Sequence, residues 1–181
     1  AGIVYSDAFT TVSKTYAEEI KYPFFGEKLE GIIKKQEYKL KGIVNGIDYN
    51  IYDPAKDENI AKNYDIPTIE DKSLNKAALQ KKYNLPIRKD VPVLAMVSRL
   101  VAMKGLDLIK HILDELLQED IQFVLLGTGD KEYEDMFNYF QGKYPDKLAA
   151  RIYFNEKEAH LIYAASDIFI MPSMAEPCGI S

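Results

Sequence analysis

The sequence predicts an α/β protein built on a parallel sheet covered by helices on both faces. Three observations carry this. From Ser73 onward, short apolar runs alternate with helical stretches, the rhythm of successive βαβ units. Runs such as 167–171, apolar over four residues and broken by Pro172, read as short buried strands. Within 105–118, Leu106, Ile109, Leu113, Leu116 and Leu117 recur at three- and four-residue steps, which gives one apolar stripe able to lie on a sheet.

Taken in order, "AGIVYSD" reads as a helix end and "AFTTVS" as a strand. "KTYAEEI" reads as a helix with Ser13 as its cap, and "KLKGIVNGID" as a second strand running into a tight Asn-Gly turn. The polar, Tyr- and Pro-containing stretch 51–72 reads as a connector. Four helix and strand pairs follow: "SLNKAALQKKY" and "PVLAMVSR", "GLDLIKHILDELLQ" and "IQFVLLG", "KEYEDMFNYFQGKY" and "RIYFN", "EKEAHLIYAAS" and "DIFIMPS". Four strands are the first part of a doubly wound sheet in the order 3-2-1-4, to which two more strands would normally be added.

Composition narrows the function. With 181 residues, 47% of them hydrophobic, the chain can bury a real core. A net charge of −5 argues against nucleic acid or an anionic membrane as partner. A phosphorylated ligand would then be held by a few local cations. One Cys excludes an internal disulfide, and no apolar run approaches the ~20 residues of a membrane span. No signal-like segment precedes Tyr5, so a cytoplasmic enzyme is the simplest reading. The chain opens on Ala1 without Met, which reads as an excised internal fragment.

The cations of interest stand in "SRLVAMKGLDL". Arg99 ends one strand and Lys104 precedes the next helix, so both fall at the rim where open α/β sheets bind ligands. A Lys at a helix N-terminus opposes the positive end of the helix dipole, and an anion between Arg99, Lys104 and the helix end would reverse that penalty. The bland alternative is a solvated Lys and an Arg packed along the sheet edge. In "LLGTGDKEYE", Gly127 and Gly129 fail the dinucleotide fingerprint, because Glu132 stands where a third Gly is needed. They read as turn glycines, needed for positive φ or for close backbone approach. His160 and His111 have no partner at metal-ligand spacing, so no metal is expected, and a helix-surface or packing role is favoured for both. Phe154, at a strand end on the rim, suits either base stacking or the core. Glu176 lies just past the last strand, where an acid is either a site residue or a solvated or capping one. Pro177 and Gly179 would let a helix begin around Cys178 to Ser181, and Cys178 itself reads as a small buried hydrophobe.

Together, "SRLVAMKGLDL", "LLGTGD", "PSMAEPCG", "SDAFTTVSKTYAEEI" and "GIVNGIDYNIYDP" resemble the bacterial glycogen synthase and plant starch synthase family over essentially the whole chain. The resemblance implies the GT-B architecture of two facing Rossmann-like domains. Residues 1–50 would be the end of the N-terminal domain and the crossover, 51–72 the connector, and 73–181 the first part of a truncated donor-binding domain. It implies transfer of glucose from ADP-glucose to the non-reducing end of an α-1,4-glucan, with retention and without cofactor or catalytic metal. By position, Arg99 and Lys104 resemble the cations on the donor diphosphate. Glu176 resembles the essential carboxylate, and Cys178 and Gly179 its neighbours lining the same loop. Phe154 stands where the family has a Tyr stacked on adenine, and Asn45 resembles an active-site Asn. Gly127 and Gly129 fall on the donor side.

The family's Lys-x-Gly-Gly loop is missing, and the second acid of its E-x7-E pattern would lie past Ser181. The chain is therefore expected to make no glucan by itself, and to self-associate through an exposed sheet edge along 168–171. Two rivals stay open. One is another retaining GT-B enzyme using a UDP-sugar. The other is a non-catalytic nucleotide-binding module, against which a first strand ending on Arg99 rather than on acids argues.

Overall fold

The computed structural model describes residues 2–179, which form two compact units: one of the described residues in 1–47 and 175–181, the other of 48–174. The first begins with helix α1 (Gly2–Tyr5), strand β1 (Phe9–Thr11), and helices α2 (Lys14–Glu19), α3 (Pro23–Gly26) and α4 (Glu30–Lys35). Strand β2 (Leu40–Gly42) runs parallel to β1, with Phe9 opposite Leu40 and Thr11 opposite Gly42. Ser13 caps α2 as expected, its hydroxyl accepting from the Tyr16 amide at 2.9 Å. The tight Asn-Gly turn does not form, and 43–47 continues from β2 without regular structure, Asn45 exposed.

The second unit holds helix α5 (Lys72–Lys82), strand β3 (Val93–Val97), α6 (Leu106–Leu116), β4 (Gln122–Leu126), α7 (Lys131–Lys143), β5 (Leu148–Arg151), α8 (Glu156–Ala165) and β6 (Ile168–Phe169). All four strands are parallel in the order β5-β4-β3-β6. This is the 3-2-1-4 order expected of a doubly wound sheet. Side-chain alternation divides the core. Leu94, Met96, Phe123 and Leu125 face α6 and α7, whereas Val93, Ala95, Val124 and Leu126 face α5 and α8.

Two strands depart from expectation. The third, expected at "RIYFN", runs Leu148–Arg151, because Ala149 and Ala150 are small enough to sit buried under the helices. The last pairs over only Ile168–Phe169 and forms the edge beside β3, with Ile168 half exposed at 52%. The stretch 51–72 folds into the second unit by specific bonds. Asn75 of α5 exchanges two hydrogen bonds with the Lys62 backbone, at 2.8 and 3.0 Å. The helix expected around 178–181 is not seen at Cys178 and Gly179, which are non-helical, and its remainder lies outside the described residues. At the end of α6, the Lys147 ammonium donates to the carbonyls of Leu117, Gln118 and Glu119 at 3.0, 3.2 and 2.6 Å. Such a cation satisfies carbonyls that a helix end leaves orphaned. Among the described residues, no helix is long and apolar enough to cross a membrane.

Candidate functional site

The parallel sheet aims its C-terminal ends at one rim, and the loops after β3, β4, β5 and β6 build it. After β3 the chain passes through Arg99, which is exposed, to a single 3₁₀ turn at Ala102–Lys104 and then to α6. Lys104 is half-buried at the end of that turn. Gly105 opens α6 in the left-handed conformation, φ 75°, with no side-chain cap. A Cβ there would lie 2.1 Å from the carbonyl oxygen of Pro172, so only glycine fits. The loop after β6 is bonded to the same turn, the Met174 amide donating to the Met103 carbonyl at 3.0 Å. An N-terminal helix end with a basic residue beside it favours an anion.

After β4, Gly127 and Gly129 satisfy one of their two expected roles. Neither has positive φ. Both allow close approach: a Cβ on Gly127 would meet the Ser98 carbonyl oxygen at 1.9 Å, and one on Gly129 the Leu100 oxygen at 2.3 Å. Their amides are engaged within the protein, Gly127 with the Arg151 carbonyl at 3.0 Å and Gly129 with the Glu134 carboxylate at 2.9 Å. The Thr128 hydroxyl also donates to Glu134. That bond, then the Gly129 amide, holds the Glu134 carboxyl below its ordinary range against a small opposing effect of burial.

After β5, Phe154 is 79% exposed, which removes the core-packing alternative. It sits beyond the strand in the loop leading to Asn155, which caps α8 by accepting from the Glu158 amide at 3.1 Å. Glu158 accepts from the hydroxyls of Tyr83 and Tyr153 at 2.8 and 3.0 Å and pairs with Lys82 at 3.2 Å. Burial would raise its pKa, but these three partners together pull it below the ordinary value. The ring of Phe154 therefore stands on a braced loop. Of the other expected residues, Glu176 and Cys178 are half-buried, Gly179 is left-handed at φ 72°, and Asn45 is exposed. All four lie in the first unit.

His160 takes the packing role of its two expected ones and is 4% exposed. Its Nδ1 lies 2.5 Å from Asp57 Oδ2, and its ring stacks on Tyr52 with centroids 4.7 Å apart. Burial alone would raise the Asp57 pKa. The His160 hydrogen bond and the Asn59 amide outweigh it and hold the carboxyl below 3.8. Asp57 and His160 are separated by 103 positions, and no local pattern announces the pair. Among the described residues, no group of three or more His, Cys, Asp or Glu could hold a metal ion.

Comparison with known proteins gives this arrangement a context. Residues 78–181 match the family described as glycosyl transferases group 1, and residues 1–35 match the starch synthase catalytic domain. The chain is 57% identical over 180 residues to a glycogen synthase of Finegoldia magna and 55% identical over 179 residues to one of Clostridium acetobutylicum. Each alignment covers 99% of this chain and 38% of the relative, so the chain spans well under half the length of the enzymes it matches. Among solved structures, the catalytic domain of starch synthase IV from Arabidopsis thaliana, bound to ADP and acarbose, superposes with a TM-score of 0.91 at 35% identity. That match covers 98% of this chain and 37% of the other.

Proposed function

The chain belongs to the group 1 glycosyl transferases, and from that premise we propose that it is the donor-binding part of a glycogen or starch synthase. The whole enzyme would transfer glucose from ADP-glucose to the non-reducing end of an α-1,4-glucan with retention, in the cytoplasm. The observation that carries the reading is the superposition on a starch synthase whose structure contains ADP. Arg99 and Lys104 would hold the diphosphate and stabilise the charge that develops on it as the glycosidic bond breaks, the largest catalytic effect available here. Phe154 would stack on adenine without the hydroxyl of the family's Tyr. Glu176 would stabilise the sugar's oxocarbenium-like transition state or orient its hydroxyls, and Asn45, Cys178 and Gly179 would be donor-side residues, as the resemblance implies. The two cations supply the leaving-group stabilisation, so the reading calls for no cofactor or metal.

Isothermal titration of ADP into the chain, and into Arg99→Ala and Lys104→Ala, tests the donor site. Each charge-assisted bond is worth about 1.5–3 kcal/mol, so each variant should bind ADP at least about tenfold more weakly. Equal affinity in all three would overturn the assignment. Preference for UDP over ADP would favour the UDP-sugar transferase instead. In a chain extended to the length of its relatives, Glu176→Gln should abolish glucan synthesis, and normal turnover would remove Glu176 from the mechanism. The 181-residue chain alone should transfer no glucose and should self-associate through the exposed β6 edge. Measured transfer, or a monodisperse monomer by light scattering, would refute these in turn.

A further inference from the structure

We propose that Gly127 and Gly129 are positioning residues, acting on the donor through the backbone of Arg99 without touching it. This rests on the reading of Arg99 as a diphosphate cation. The glycine-rich loop after β4 invites the opposite assignment, in which its amides cradle a phosphate. Those amides already have partners: the Gly127 amide donates to Arg151 and the Gly129 amide to Glu134, at 3.0 and 2.9 Å. What the two glycines contribute is an absence of bulk. The missing Cβ of Gly127 makes room for the Ser98 carbonyl and that of Gly129 for the Leu100 carbonyl, the two residues flanking Arg99.

The loop after β4 thereby grips Arg99 from both sides. On one side the Ser98 amide donates to Leu126 at 3.1 Å. On the other the Leu100 amide donates to Thr128 at 3.0 Å, and the Leu100 carbonyl accepts from Asp130 at 2.8 Å. Leu100 and Gly129 also form a parallel bridge outside the regular strands. The Val101 amide closes onto the Arg99 carbonyl at 3.1 Å, completing a fixed backbone around the cation. The Arg99 side chain is exposed, so this backbone fixes the point from which it reaches toward a ligand. Neither glycine has positive φ, so alanine at either position keeps its dihedrals and pushes only on its neighbour. Displacing a cation by about 1 Å is enough to lose most of a directed contact.

A double-mutant cycle read by ADP titration separates positioning from direct contact. Gly127→Ala should weaken ADP binding about tenfold, comparable to loss of one charge-assisted bond. In the Arg99→Ala background the same substitution should have no further effect, because the residue it positions is gone. If the double variant binds about tenfold more weakly than Arg99→Ala, Gly127 contacts the ligand itself and the proposal is overturned. Wild-type affinity in Gly127→Ala also overturns it. Should that variant fail to fold, Gly129→Ala, which pushes instead on the Leu100 side of Arg99 with its nearest approach at 2.3 Å, carries the same cycle. A ligand-free readout stands beside these: the amide resonances of Ser98, Arg99 and Leu100 should shift in Gly127→Ala without ADP, and unshifted resonances would sink the clamp. A wild-type chain that binds no ADP would overturn the donor reading, and the amide shifts would still decide the clamp.

Discussion

The two ends of the parallel sheet use their charges in opposite ways. At the N-terminal ends of β3 and β6, charges are matched inside the protein. Lys76 pairs with Asp167 at 2.7 Å, Asp167 also accepts from the Val93 amide at 2.7 Å, and Lys72 donates to the last turn of α8 at 2.7 Å. Nearby, the side chains of Gln80 and Gln122 bond each other at 2.7 Å and reach the Arg88 and Pro86 carbonyls. At the C-terminal rim, Arg99 and Phe154 are exposed, and the bonding falls on the backbone beneath them. One end commits its polar side chains to the fold, whereas at the other Arg99 and Phe154 extend from a main chain that is itself held by hydrogen bonds. In an open α/β fold the C-terminal rim is the end at which a ligand is expected.

This contrast breaks down if substitutions at the two ends change the same observable. The largest effect should come from Lys76→Met. Its ammonium is nearly buried, but Asp167 is 38% exposed, so the loss should fall below the ~3–5 kcal/mol of a fully buried pair, at about 2 kcal/mol. Urea unfolding should show that loss while ADP affinity stays unchanged, and weakened ADP binding would show that the two ends are coupled. Phe154→Ala should do the reverse. Base stacking is worth about 1–3 kcal/mol, so ADP affinity should fall about tenfold with the unfolding midpoint unmoved. A shifted midpoint would place the ring in the fold after all.

The smallest effect sharpens the comparison in the body of the unit. Asp57→Asn should destabilise by about 1 kcal/mol near neutral pH, as expected for a charge-assisted hydrogen bond reduced to a neutral one. Because the folded carboxyl titrates below its ordinary 3.8, its contribution is complete above that value and is lost as pH falls through the lower folded one. The difference between variant and wild type should therefore close below about pH 4. A gap that persists into stronger acid would assign the effect to shape rather than charge.

The strands of the second unit were legible because a strand buried on both faces writes a continuous apolar run, as in Val93–Val97 and in 123–126 of β4. β5 was less so, since Ala149 and Ala150 carry little strand signal and the aromatic residues just after them carry more. Arg99 and Lys104 could be placed on the rim from strand and helix ends alone. The roles of the glycines could not be settled that way, because close approach depends on which carbonyl lies opposite, as Pro172 does for Gly105 and Ser98 for Gly127. The Asp57 and His160 pair was invisible for the same reason: its partners meet only once a polar stretch has folded against α8.

The lysine that closes α6 has a consequence for chemical labelling. Lys147 is half-buried with its nitrogen shared among three carbonyls, and an amine must first lose a proton and present its lone pair to react with an acylating reagent. Under limiting reagent, Lys147 should be among the last lysines to be modified. Its modification would then report that the C-terminal end of α6 has opened.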